Sequence, residues 1–115
     1  MQKYIVIADD LTGSNATCSL LKKIGLRAAS ILKLQSDRNY DVDVISYSTA
    51  SRGLDKEEAY NKVSEAIKIL KSKDVLVYNK RIDSTLRGNI GTEINAMLDN
   101  LEDDRIAIVV PAYPD

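Results

Sequence analysis

Apolar positions fall along the chain in short blocks that switch between a strand pattern and a helix pattern. "YIVIA" (4–8) is a continuous apolar run rich in β-branched residues, as expected of a strand buried on both faces. After "DDLTGSN", Ala16, Leu20, Leu21 and Ile24 recur at helical spacing and are predicted to share one face, with Gly25 as the stop. "RAASILKL" (27–34) reads as a second strand and "VDVISYS" (42–48) as a third. Residues 55–71 form the clearest helix, with Ala59, Val63, Ala66, Ile67 and Leu70 on one side and Asp55, Glu57 and Glu58 in the first turn. "DVLVYN" (74–79) is a fourth strand, and Ile94, Met97, Leu98 and Leu101 mark a third helix. "RIAIVV" (105–110) is a fifth strand.

Strands alternating with helices predict an α/β domain: a mostly parallel sheet of about five strands with helices on both faces in three layers. One junction strains that pattern. The link between the second and third strands is shorter than the ~10–12 residues a parallel crossover takes. Either an irregular turn bridges them, or one of the two is an antiparallel or edge strand. The chain also ends at "VVPAYPD", directly after a strand of buried type, so the domain reads as incomplete and the chain as the front part of a longer protein.

Composition narrows the possible chemistry. At 115 residues and 44% hydrophobic content the chain suits one domain, and a formal net charge of −1 offers no electrostatic case for nucleic acid or a membrane surface. No run approaches the ~20 apolar residues that span a bilayer. A single cysteine, Cys18, excludes an internal disulfide and fits a reducing cytoplasm. Histidine is absent, so acid–base work falls to Asp, Glu, Lys or Tyr, and zinc sites of the Cys/His kind are excluded.

The polar residues gather where an α/β sheet binds ligands, beyond the carboxyl ends of its strands. "ADDLTGSN" follows the first strand, "STASRG" the third and "NKRIDSTLRGN" the fourth. If the strands are parallel, all three clusters share one rim. Asp9 or Asp10 can accept hydrogen bonds from substrate hydroxyls or act as a general base. Asp10, Thr12 and Ser14 also suit an N-cap, which accounts for one acid and not two. Gly13 allows a tight turn and close backbone approach. Arg52, beside Thr49 and Ser51, can hold a carboxylate or phosphate through paired hydrogen bonds. Lys80, Arg81, Asp83, Ser84, Thr85 and Arg87, followed by Gly88, Asn89 and Gly91, form a second basic wall at a helix N-terminus that favours an anion. The plain alternative makes Ser84, Thr85 or Asn89 a cap and leaves the bases to solvent. Cys18 reads as a packing thiol, Tyr60 and Tyr78 as core-lining rings with the hydroxyl at the edge, and "LEDDR" as a solvated loop.

Several α/β families fail on these motifs. "ISYSTAS" has no phosphoacceptor acid where a receiver domain needs one, "DDLT" is not the D-x-D of a haloacid-dehalogenase phosphatase, and no P-loop or dinucleotide fingerprint is present. "IADDLTGSN", "TASR", "KRIDSTLRGNIGTE" and "VVPAYP", in that order and spanning nearly the whole chain, resemble the N-terminal domain of the four-carbon acid sugar kinase family. The resemblance implies a sugar-acid-binding domain, residues 1–115 being its N-terminal part, in an enzyme that phosphorylates tetronates such as threonate and erythronate. ATP and Mg²⁺ would be bound mainly by a C-terminal kinase domain beyond this chain, so the chain alone is expected to be inactive. The family pattern carries over to Asp9, Asp10, Arg52, Lys80, Asp83, Ser84, Thr85 and Arg87; Arg81 keeps the charge of a position where lysine is frequent. Asp9 and Asp10 would be catalytic, and all of these residues would bind the sugar acid, Arg52 with the Lys80/Arg87 region holding its carboxylate. "STASR" lacks the acids of the "DTESR"-like form, which bears on substrate preference. A stand-alone module binding a small anionic metabolite is the alternative; both readings imply a cytoplasmic protein and allow a homo-oligomer.

Overall fold

The computed structural model describes residues 3–34, 42–72, 75–82 and 87–101. Among these residues four parallel strands lie in the order β2-β3-β1-β4: β1 Tyr4–Ala8, β2 Ala28–Ile31, β3 Val44–Ser48 and β4 Val77–Arg81. Three helices alternate with them: α1 Leu11–Lys23, α2 Lys56–Leu70 and α3 Ile90–Asp99. The expected fifth strand, 105–110, lies outside the described residues.

The apolar run of β1 is buried on both sides because its alternate side chains enter two different cores. Ile5 and Ile7, with Ile45 and Ile31 from the neighbouring strands, pack on Val63, Ala66, Ile67 and Leu70 of α2 and on Ala96 and Met97 of α3. Val6, Val44 and Ala28 face the other way, onto Cys18, Leu21 and Leu26. One face is therefore covered by α2 and α3 and the other by α1, which makes the three layers expected. Cys18 is the packing thiol its position implied, 5% exposed. Tyr60 and Tyr78 rest against the larger core with their hydroxyls at its edge, bonded to Asp99 and to the Ser72 backbone.

Local signals set the helix ends. The Asp55 carboxylate accepts from the Glu58 N–H at 2.8 Å, and Glu57 and Glu58 oppose the positive helix end, so α2 starts where its acids predict. α1 stops at Gly25, whose φ of +98° permits a Schellman turn: Leu26 N–H bonds the Leu21 carbonyl and Gly25 N–H the Lys22 carbonyl.

Three expectations need correction. Leu20 and Ile24 do not face the sheet; they are 57% and 72% exposed, and Ala16 is exposed too. The buried side of α1 is Gly13, Ser14 and Cys18. Small residues let the helix approach closely enough for the Ser14 and Ser46 hydroxyls to meet at 2.7 Å, with Ser46 also donating to the Ser14 carbonyl at 3.0 Å. The second strand ends at Ile31 rather than residue 34, so residues 32–43 are available to link it to β3; β2 is parallel and lies at the sheet edge. β4 spans Val77–Arg81 rather than 74–79, because its ladder with β1 runs from Tyr4↔Val77 to Ala8↔Arg81. The first two bases of the long polar motif are thus strand residues.

The connections reverse at one place. From β1 the chain leaves through α1 on one face towards β2, whereas from β3 it leaves through α2 on the other face and returns past β1 to β4. The carboxyl ends of β1 and β3 flank this switch point, the usual ligand crevice of open α/β sheets.

Candidate functional site

Both acids that follow β1 reach the same guanidinium. Asp9, 2% exposed, takes two parallel hydrogen bonds from Arg52: Nε to Oδ2 at 3.1 Å and Nη2 to Oδ1 at 3.0 Å. Arg52 Nη1 lies 3.1 Å from Asp10 Oδ2. The other oxygen of Asp10, Oδ1, accepts from Gly13 N–H at 2.8 Å and caps α1. Asp10 therefore performs the capping its sequence context allows and still presents an ionic face, with its side chain 35% exposed against 3% for Asp9.

The segment that carries Arg52 is docked on the end of β1 through its backbone. Thr49 N–H bonds the Ala8 carbonyl at 2.9 Å, and the N–H groups of Ser51 and Arg52 converge on the Asp9 carbonyl at 3.0 and 3.3 Å. Ala50 makes this reversal with a φ of +51°, a left-handed conformation that L-residues adopt at a cost of about 1–2 kcal/mol. Strain of this kind survives where surrounding bonds over-determine the backbone.

Behind this pair lies a second, largely buried set. Lys80 Nζ, on a side chain 7% exposed, sits 3.2 Å from Glu93 Oε1, whose side chain is 1% exposed. Ser51 Oγ donates to the same Oε1 at 2.9 Å, the Thr49 and Ser51 hydroxyls are 2.6 Å apart, and Thr49 donates to the Ala8 carbonyl at 3.1 Å. Glu93 had no assigned role in the sequence, although it stood in the long motif. Its signal was positional: Glu93 precedes Ala96 and Met97 by three and four residues, so it shares the buried face of α3.

Two glycines make these approaches possible. A Cβ on Gly13 would stand 2.9 Å from Asp10 Oδ1 and 3.1 Å from Arg81 Cγ. Gly88, at φ +92°, is stacked against the acid–arginine pair, where a Cβ would be 3.0 Å from Asp9 Oδ2 and 3.3 Å from Arg52 Cγ. Gly91, expected to serve the same wall, faces open space. Asn89 does not cap α3 with its side chain but donates to the Leu54 carbonyl at 2.7 Å, tying the start of α3 to the segment before α2.

The structure thus brings together Asp9, Asp10, Arg52, Lys80 and, across Gly13, Arg81. Arg81 and Arg87 are exposed at this end of the sheet, whereas Lys80 is turned inward onto Glu93. Asp83, Ser84 and Thr85 lie outside the described residues. Among the described residues no group of three or more Asp, Glu, Cys or His side chains could hold a metal ion, and both rim carboxylates are ion-paired with the one guanidinium of Arg52. The rim offers one partly exposed carboxylate, a fixed guanidinium and two exposed bases, a donor–acceptor set that fits a small hydroxylated anion.

Residues 4–115 match the family described as the sugar-binding N-terminal domain. The chain is 48% identical over 117 residues to the D-erythronate kinase of Heliobacterium modesticaldum, covering 99% of this chain and 27% of that protein. It is 39% identical over 114 residues to the D-threonate kinase of Salmonella typhimurium, covering 97% of this chain and 26% of that one. The chain therefore spans about a quarter of the length of these relatives. A crystal structure from Bordetella bronchiseptica, a domain of unknown function with bound citrate in a domain-swapped dimer, superposes with a TM-score of 0.76 at 28% identity, over 83% of this chain and 25% of that one.

Proposed function

Because the chain belongs to the four-carbon acid sugar kinase family as its sugar-binding N-terminal domain, we propose that the rim at the ends of β1, β3 and β4 binds a four-carbon sugar acid for phosphorylation by ATP. The observation that carries this reading is the Asp9–Arg52–Asp10 cluster at the topological switch point. Asp9, buried and doubly bonded, orients Arg52. Asp10 is the exposed carboxylate, and its Oδ2 accepts a hydrogen bond from the reacting hydroxyl and takes its proton as the oxygen becomes nucleophilic. Arg52, Arg81 and Arg87 hold the substrate carboxylate, and Lys80, paired with Glu93, supports the rim from behind. Asp83, Ser84 and Thr85 complete the substrate contacts.

The described rim does not suit Mg²⁺, since both of its acids are bonded to Arg52, and ATP and Mg²⁺ would be bound elsewhere. Their sites belong to the remainder of a relative-sized protein, with which this domain would pair, and the chain alone is inactive. The bound citrate and the dimer of the Bordetella relative support a carboxylate ligand and a homo-oligomer. A reducing cytoplasm is the fitting compartment.

The test is turnover. The intact protein should release ADP with D-erythronate or D-threonate as acceptor, and Asp10→Asn should lower kcat by at least about 100-fold. Asparagine caps a helix as well as aspartate, so the fold should be kept. Full activity in Asp10→Asn would remove Asp10 from the chemistry.

A further inference from the structure

Helix α3 turns one acid inward, onto a side otherwise formed by Ala96 and Met97. An isolated carboxylate is costly to bury, and such an acid is retained where its partners are well placed. Here a single oxygen, Glu93 Oε1, serves two elements: Lys80 on β4 at 3.2 Å and Ser51 on the segment after β3 at 2.9 Å. Ser51 meets Thr49, and Thr49 bonds the last residue of β1. One buried carboxylate thus joins the ends of β1, β3 and β4, the three strands whose ends form the rim. Ser51 is the direct neighbour of Arg52, and both residues' N–H groups bond the Asp9 carbonyl.

We propose that Glu93 is a positioning residue for the sugar-acid site. It sets the Ser51–Arg52 segment against β4, so that Arg52 and Asp10 face the bases of β4 at a fixed separation. The inference rests on the sugar-acid reading of the rim for its kinetic consequence, but not for its structural one. Lys80 takes part as the partner that keeps the Glu93 charge compensated. Glutamine at this position keeps an acceptor for Ser51 and removes the charge that holds Lys80.

The experiment compares Glu93→Gln, Lys80→Met and the double variant in the intact protein. Glu93→Gln should raise KM for D-erythronate about tenfold while KM for ATP stays within about twofold. The double variant should fall well short of the product of the two single effects, because both act through one pair. Amide exchange at Ser51 and Arg52 should accelerate about tenfold in Glu93→Gln relative to the amides of α2. An unchanged KM for erythronate, multiplicative single effects, or unchanged exchange at Ser51 and Arg52 would each overturn the proposal. If the unsubstituted protein turns over no tetronate, the sugar-acid reading fails, and the exchange measurement alone then decides the role of Glu93. Should Glu93→Gln fold poorly, Ser51→Ala removes the arm from Glu93 to the loop together with the Ser51–Thr49 contact; it should raise the same KM and accelerate Arg52 exchange, and wild-type behaviour would refute the proposal.

Discussion

Replacing Gly88 by alanine probes the contact between the α3 approach and the acid–arginine pair. Two costs are expected. The positive φ of +92° imposes a backbone penalty of about 1–2 kcal/mol on an L-residue. Loss of glycine's freedom in the unfolded chain returns about 0.4–1 kcal/mol of that. The new methyl then stands 3.0 Å from Asp9 Oδ2 and 3.3 Å from Arg52 Cγ. Neither neighbour can yield cheaply, since Asp9 is buried and bonded twice to Arg52. Overpacking of this kind adds about 1–3 kcal/mol. Gly25→Ala supplies the control, because Gly25 has nearly the same φ, +98°, with nothing within 4 Å. Urea unfolding should show Gly25→Ala less stable by about 1 kcal/mol and Gly88→Ala by about 2–4 kcal/mol. Gly91→Ala, in open space on α3, should be neutral or stabilising by up to about 1 kcal/mol. Equal losses for Gly88→Ala and Gly25→Ala would refute the claim that the Asp9–Arg52 pair is pinned against the backbone.

Two other perturbations follow from the same structure. Arg52→Ala leaves the buried Asp9 carboxylate unpaired and should cost about 3–5 kcal/mol in chemical denaturation; Arg52→Lys should recover only part of that, because lysine lacks the fork. The side-chain hydrogen bond from Arg27, then its backbone N–H, hold the Asp43 carboxyl below its usual range. The folded state therefore binds this proton less readily than the unfolded one, so the contribution is present above about pH 4 and is lost as pH falls through the lower folded value. Asp43→Asn should flatten that part of the acid limb in a pH series of melting temperatures, and an unaltered limb would contradict the assignment.

Much of this architecture is legible in the sequence. The helix at 55–71 is legible because its apolar period and its acidic first turn agree, and the structure makes Asp55 its N-cap. The rim was legible because three polar clusters each followed an apolar run. What misled was local pattern read without its partner. Leu20 and Ile24 looked like a core stripe, yet the contact face of α1 is built from Gly13, Ser14 and Cys18, whose small size sets how closely the helix approaches. The end of β4 is set by pairing with β1, so the strand continues into two bases that a hydropathy pattern excludes. Glu93 was overlooked because an acid is read as outward-facing by default, and only the third dimension supplies Lys80 and Ser51. Arg52 was expected to await a ligand, and instead its guanidinium already binds Asp9 and Asp10. Asp9 and Asp10 lie in one motif and Arg52 in another, and neither motif by itself shows that they pair.

Binding of the sugar acid at the ends of β1, β3 and β4 can be read by amide chemical-shift mapping of the isotope-labelled protein titrated with D-erythronate. Saturable shifts should centre on Asp10, Gly13, Arg52, Arg81 and Gly88, be weakened by Arg81→Ala, and be absent with a neutral four-carbon polyol. Shifts centred at the opposite end of the sheet, near Tyr4, Ala28 and Val77, or equal shifts with the polyol, would contradict it.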